Sequence, residues 1–326
     1  MTLLSIVPNG ARLSICCAAC LLAQDRTFRT EIHVVQVPVT VTNQAGANID
    51  GLKAGDFHVL DNGDERQFTL DTFGSGVAPI SLAIAIQTSG ISKPAIAKIR
   101  RIGGMIQPLV TGRRGEVAVL TFDDEIDWRL NFTSDADVLQ RVIKKIDTGG
   151  LKQARMLDAV VDAADVMKER KGRRVLLLIS ETKDRGSHAK LEQAIQAVER
   201  EAIEVFAATY SAQATPWTAN PDDLPPPSGA NYLAIFTEMA RLGKTNHAIA
   251  LSQATGGTNY PFLRERGVEK AIENLGVDVH AQYILSFPQT PGSEGMHRID
   301  VSLPNRSDVR IRSRRAYWAE PGDPAK

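Results

Sequence analysis

Neither sign of charge dominates this sequence: Lys+Arg and Asp+Glu each number 38 among 326 residues. No net field therefore draws the chain to nucleic acid or to an anionic membrane. No apolar run reaches the roughly 20 residues that a membrane-spanning helix needs. Cysteine is confined to Cys16, Cys17 and Cys20. Everything after them lacks both disulfides and thiolate ligands, and the C-x-x-C pair Cys17/Cys20 has no second pair or partnering histidine nearby. The histidines (His33, His58, His188, His247, His280 and His297) show no i, i+4 pair, which argues against zinc. A G-x-S-x-G elbow, a Walker loop and a G-x-G-x-x-G turn after a strand are all missing. Catalysis has no visible apparatus, so the first reading is a protein that is not an enzyme and needs no cofactor.

What is present begins with a leader. Arg12 precedes the apolar run Leu13–Ala23, and polar sequence follows. That pattern suits a signal peptide over residues 1–24, cleaved near Ala23 or Gln24, and implies export to the periplasm, the cell surface or the medium. A lipobox ending at Cys20 is the alternative, with Cys17 standing where leucine is usual.

Residues 32–43 alternate apolar and polar with many β-branched side chains, which predicts a strand with one buried face. Asn62-Gly63 predicts a hairpin between two short strands. From Pro79 the rhythm changes. Leu82–Ile86 and Val175–Ile179 are continuous apolar runs, as in strands covered on both faces, and residues 116–122 and 203–210 look similar. Helical patterns over 95–110, 135–146, 156–169, 188–201, 231–254 and 264–280 alternate with them, and 125–133 reads as an antiparallel partner of 116–122. This predicts a doubly wound, mainly parallel α/β sheet over 79–280. Residues 281–289, 296–303 and 309–318 return to strand. They are expected to pair with the N-terminal strands in a discontinuous β-sandwich built from 30–76 and 281–318, because few-stranded β units do not bury a face alone. Residues 319–326 read as a tail. A proline-rich loop, 215–231, holds Trp217, Asp222 and Asp223 and is a candidate interface.

Ligands of open parallel sheets bind beyond the carboxyl ends of the strands, where strand order reverses. Residues 87–92 and 180–187 end two buried strands, and the loop 148–160 is placed to close a third side. The segments "LKAGDFHVLDNG", "TFDD", "LDAV", "ISETKD", "QATGG", "QYILSF" and "RRAYW" follow one another in order over residues 32–318. In this they resemble von Willebrand factor A-type proteins of the bacterial VWFA-related, acidobacterial kind. The resemblance implies a metal-ion-dependent adhesion site: a cation held by D-x-S-x-S, a threonine from a second loop and an aspartate from a third. This chain departs from that pattern. Gln87 stands in place of the first Asp, Ser89 is kept, Ile91 replaces the second Ser and Ser92 lies one place late. Ala154 or Leu151 falls at the threonine position, and Glu181 at the last aspartate. So few hard oxygens suit Mg²⁺ poorly.

The expectation is a degenerate adhesion site whose rim, formed by Gln87, Ser89, Ile91, Ser92, Asp124, Ala154, Glu181 and Asp184, binds a protein partner without a cation. One alternative is weak Mg²⁺ or Mn²⁺ binding through Ser89, Asp124, Glu181 and waters. Another is an envelope hydrolase using Glu181, Asp184 and His188.

Overall fold

The structure, a computed structural model, describes residues 33–72, 79–89, 93–149, 153–211, 246–263, 267–290 and 294–319. The leader, Ile91, Ser92, Leu151 and the proline-rich loop with Trp217, Asp222 and Asp223 lie outside the described residues.

The central sheet is built from β5 (Ile80–Gln87), β6 (Glu116–Phe122), β7 (Ile126–Thr133), β8 (Arg173–Ser180), β9 (Ile203–Ser211) and β10 (Asn259–Leu263), in the order β10-β9-β8-β5-β6-β7. β7 alone among these runs antiparallel, turning back on β6. Every residue of β5 is buried. The reason is visible in the two cores. Leu82, Ile84 and Ile86 face one side with Val175, Leu177 and Ile179, whereas Ala83 and Ala85 face the other with Leu176 and Leu178. Each large aliphatic side chain so covered stabilises the fold by about 1.5–3 kcal/mol.

Helices cover both faces. On the first lie α1 (Lys93–Ile99), α2 (Gly103–Ile106), α3 (Ala136–Lys144) and α7 (Val268–Ala281); on the second lie α4 (Met156–Met167), α5 (Leu191–Arg200) and α6 (His247–Thr255). The single helix expected over 95–110 is interrupted. It stops at Ile99, resumes at Gly103 and widens into a π-helical turn over Gln107–Thr111. Pro108 lacks the N–H that an unbroken α-helix would use there. Gly103 permits the close crossing with α3, since a Cβ would lie 3.0 Å from the Gln140 Cα.

Among the described residues, the remaining strands form two four-stranded sheets. One runs β13-β1-β11-β4, from β13 (Val309–Ser313), β1 (Val34–Asn43), β11 (Tyr283–Pro288) and β4 (Thr69–Thr72). The other runs β14-β12-β2-β3, from β14 (Ala316–Ala319), β12 (Gly295–Ser302), β2 (His58–Asp61) and β3 (Asp64–Glu65). Each joins early strands to late ones, and Val37, Val39, Val59, Leu285, Phe287, Ile299 and Tyr317 share a core. Asn62 and Gly63 take φ of 54° and 94°, the left-handed pair that a two-residue hairpin requires. Residues 309–318, expected as one strand, divide between the two sheets at Arg314-Arg315. Arg314 is buried there, its Nε donating to Ala316 O and its Nη2 to Glu199 O.

Candidate functional site

Strand order reverses between β5 and β8, which pair in parallel from Ile80↔Arg173 to Ile86↔Ile179. Their carboxyl ends therefore open on one crevice, as the two apolar runs predict. Gln87, the last residue of β5, is buried there. Its Nε2 donates to Ser89 O at 2.7 Å, and its Oε1 accepts from Glu181 N at 2.9 Å, just past the end of β8. One neutral amide thus ties its own turn to the neighbouring strand. An aspartate could accept from Glu181 N but has no donor for Ser89 O.

The other loops close in the same manner. Ser89, fully buried, donates its hydroxyl to Gln153 O. Thr88 reaches across to β6 through Phe122 O and through Asp123 Oδ2 at 3.1 Å, and its own carbonyl accepts from Gly149 N at 2.9 Å. A Cβ on Gly149 would lie 2.2 Å from Asp123 Oδ2, so a larger residue here would push that carboxylate aside and disturb its bond from Thr88. Ala154, at one of the two candidate threonine positions, contributes backbone alone. It exchanges N–H···O bonds of 2.8 and 3.0 Å with Arg185, forming an antiparallel bridge between two loops.

Arg155 then stitches three segments together. Its Nε donates to Asp158 Oδ2 at 2.8 Å, its Nη1 to Asp124 O at 3.1 Å, and its Nη2 lies 2.7 Å from His188 Nδ1. Asp158 accepts from His188 N and Ala189 N as well. Burial pushes its carboxyl up, but those backbone donors and Arg155 outweigh burial and hold the group below its ordinary value. Asp184 accepts from Leu157 N, Ser187 N and, at 2.6 Å, Ser187 Oγ. Its own N–H donates to His247 Nδ1 at 3.1 Å, at the start of α6. Burial holds the His247 imidazole below its ordinary pKa, which keeps that nitrogen an acceptor.

The structure thus brings Gln87, Ser89, Ala154, Glu181 and Asp184 together around the crevice, with Asp124 beside them. Thr88, Gln153, Arg155, Asp158, Ser187 and His247 belong to the same network and were not among the expected rim residues. The Arg155-x-x-Asp158 spacing at a helix start was the legible sign of one of these links. These residues do not reproduce the donor set of the A-type cation site. Both ends of the Gln87 amide and the Ser89 hydroxyl are committed to internal partners, and Ala154 supplies no side-chain oxygen. Among the described residues, no three of His, Cys, Asp and Glu group so as to hold a metal. Among the described residues, two carboxylate oxygens are buried without a hydrogen-bond partner, Asp124 Oδ1 and Glu181 Oε2. The latter lies 3.0 Å from Arg185 Nη2, an ion pair without hydrogen-bond alignment.

No protein-family model matches the chain, and no curated protein matches it. Among solved structures, it is similar to the conserved hypothetical protein BatB from Bacteroides thetaiotaomicron, with 14% identity over 61% of this chain and 97% of that one, at a TM-score of 0.42. It is similar to an aerotolerance-related membrane protein from Bacteroides fragilis, with 15% identity over 63% and 98% and a TM-score of 0.41. It is also similar to proximal thread matrix protein 1 from the mussel byssus, a structure with a zinc-occupied MIDAS motif, with 13% identity and a TM-score of 0.48. That likeness covers 68% of this chain and 49% of the byssus protein, so the chain spans about half its length. The strand order, rather than these likenesses, carries the doubly wound fold. No helix among the described residues is long and apolar enough to cross a membrane.

Proposed function

We propose that this chain is an exported, non-enzymatic protein-interaction module of the A-type kind, working without a bridging cation. In this reading the two small sheets are a discontinuous β-sandwich from which the α/β layer projects. The carrying observation is the Gln87 amide, which fills the switch point with two internal hydrogen bonds where the A-type pattern has a metal-binding carboxylate. The partner surface is the outer face of the 181–190 loop. Lys183, Arg185, His188 and Lys190 are exposed there, while Glu181 and Asp184 turn inward. Hydrolysis by Glu181, Asp184 and His188 is disfavoured, since Asp184 spends its carboxylate on Leu157 and Ser187, and His188 Nδ1 faces Arg155.

Calorimetry of the mature protein with Mg²⁺, Mn²⁺ and Ca²⁺ tests the metal-free part, with no saturable heat expected. Micromolar binding that disappears in Ser89→Ala overturns it. A pull-down from envelope extract tests the surface. Retention should survive EDTA and fall in the double variant Lys183→Glu/Arg185→Glu. The orphaned oxygens of Asp124 and Glu181 favour one second reading, a weak cation held mainly by waters. A crystal grown in Mn²⁺ with no density beside them removes it.

A further inference from the structure

A cavity of about 340 Å³ opens at the amino end of β10, on the far side of the sheet's strand ends from the crevice. β10 and α7 form one wall, β1 and β13 the other. Thr40 and Thr42 alternate onto one face of β1, and their register partners on β13 are Arg312 and Arg310. The pairing therefore delivers a hydroxyl beside a guanidinium twice in succession, and all four residues line the cavity. From α7, Asn274, Val277 and Asp278 arrive on one helical face by their i, i+3, i+4 spacing.

The floor is fixed before any ligand arrives. Tyr260 Oη donates to Asp278 Oδ2 at 2.7 Å, and Arg312 Nη2 donates to the same oxygen at 2.6 Å. Arg312 Nε is held by Gly256 O at 3.2 Å. Burial and the neighbouring Asp278 keep the Tyr260 phenol well above its ordinary pKa, so it stays a donor. Among the described residues, Asp278 Oδ1 and Arg312 Nη1 find no hydrogen-bond partner, and the two side chains are 17% and 25% exposed. A rigid charged acceptor thus sits beside a rigid charged donor. Two adjacent hydroxyls satisfy that pair, one donating to the carboxylate and the other accepting from the guanidinium. At the rim, Val277 is 58% exposed, one of two large apolar side chains so placed among the described residues. It offers a contact to a C–H face, which a pyranose has and a simple anion lacks. The volume is at the lower end of small-molecule pockets, which begin near 300 Å³.

We propose that this cavity binds a pyranose through its vicinal diol, as a free sugar or as the terminal unit of a glycan. The test is saturation-transfer NMR and calorimetry on the full chain. The probes are the methyl glycosides of mannose, glucose and galactose, soluble mannan and dextran, with tetrahydropyran-2-methanol as the control lacking a diol. Millimolar, saturable binding of at least one sugar is expected, with none of the control. Asp278→Asn should weaken it about tenfold, the worth of one charge-assisted bond. Val277→Ser should weaken it about threefold, a fraction of one side chain's apolar burial. Binding of a glycoside identifies a free-sugar site, and binding of a polymer alone identifies a glycan-end site. If Asp278→Asn fails to fold, Val277→Ser and Asn274→Ala decide. No binding of any sugar up to about 20 mM, or binding equal in the control and unmoved by these variants, overturns the proposal.

Discussion

At the carboxyl end of the parallel sheet, Gln87 meets the neighbouring strand with a neutral amide. At the amino end of the same sheet, Arg173 on β8 meets Glu204 on β9 with full charges, both buried. Gln282 completes that second cluster by donating to Glu204 and to Thr40 Oγ1 and accepting from Arg173, whose Nη1 reaches Val279 O at 2.9 Å. The two clusters do different work. The charged one joins the α/β layer to β1 and to the start of β11, whereas the neutral one closes loops on each other. Burial pulls the Arg173 guanidinium down and pushes the Glu204 carboxyl up, each opposed by the other's charge. A neutral amide meets no such opposition, so the crevice is satisfied at lower desolvation cost.

The largest expected effect breaks the charged end. Arg173→Met leaves Glu204 buried without its cation and should cost about 3–5 kcal/mol in urea unfolding. The double variant Arg173→Met/Glu204→Leu should recover most of that loss, because the orphaned charge goes with it. A double variant no better than the single one would show that the pair's hydrogen bonds, not its charges, hold the sheets.

Next comes pH. Burial pushes the Glu199 carboxyl up to about 7 despite Arg314 nearby. Between pH 4.5 and about 7 the folded chain keeps a proton that the unfolded chain releases, so stability falls as pH rises through that window. The full effect is about 3 kcal/mol from a shift of 4.5 to about 7. Glu199→Gln should flatten that part of a pH series of unfolding midpoints.

A smaller loss is expected at the neutral end. Gln87→Leu strands Ser89 O and Glu181 N and should cost about 2 kcal/mol, near the penalty for buried unpaired groups. Gln87→Glu separates the two bonds, since it still accepts from Glu181 N but cannot donate while ionised. A loss as large as that of Arg173→Met would erase the contrast between the two ends.

Much of this arrangement is readable in the residues, and the limits have physical causes. Leu82–Ile86 and Val175–Ile179 announce strands buried on both faces, but that the two are neighbours across the switch point is given by the sheet order. Asn62-Gly63 announces its hairpin. The π-helical turn at Gln107–Thr111 was not legible because the apolar periodicity runs on through Pro108 and Gly103. The division of 309–318 was hidden because a buried Arg314 reads as a surface residue until its backbone partners are known. At the crevice, the residue types Gln87, Ile91 and Ala154 are plain in the sequence. The partners that Gln87 and Ser89 take are not. The bonds from Gln87 to Glu181 and from Ser89 to Gln153 join positions 94 and 64 residues apart, and no local pattern reports such a pairing.

The smallest effect belongs to His247, and it runs opposite to that of Glu199. Its Nδ1 accepts from Asp184 N, and burial holds its pKa below the ordinary 6.5. Below pH 6.5 the unfolded chain takes up a proton that the folded chain resists, so this contribution is present at neutral pH and lost as pH falls. The imidazolium has no lone pair for Asp184 N, and the 181–189 loop should loosen where it meets α6. An NMR titration of the His247 ring should give a midpoint below 6.5, and protection of the Asp184 amide, corrected for intrinsic exchange, should fall in step with it. If both hold while Glu199→Gln removes only the opposite slope, the two ends of the sheet respond to pH independently. A His247 midpoint that moves in Glu199→Gln would mean instead that the ends are electrostatically coupled through the sheet.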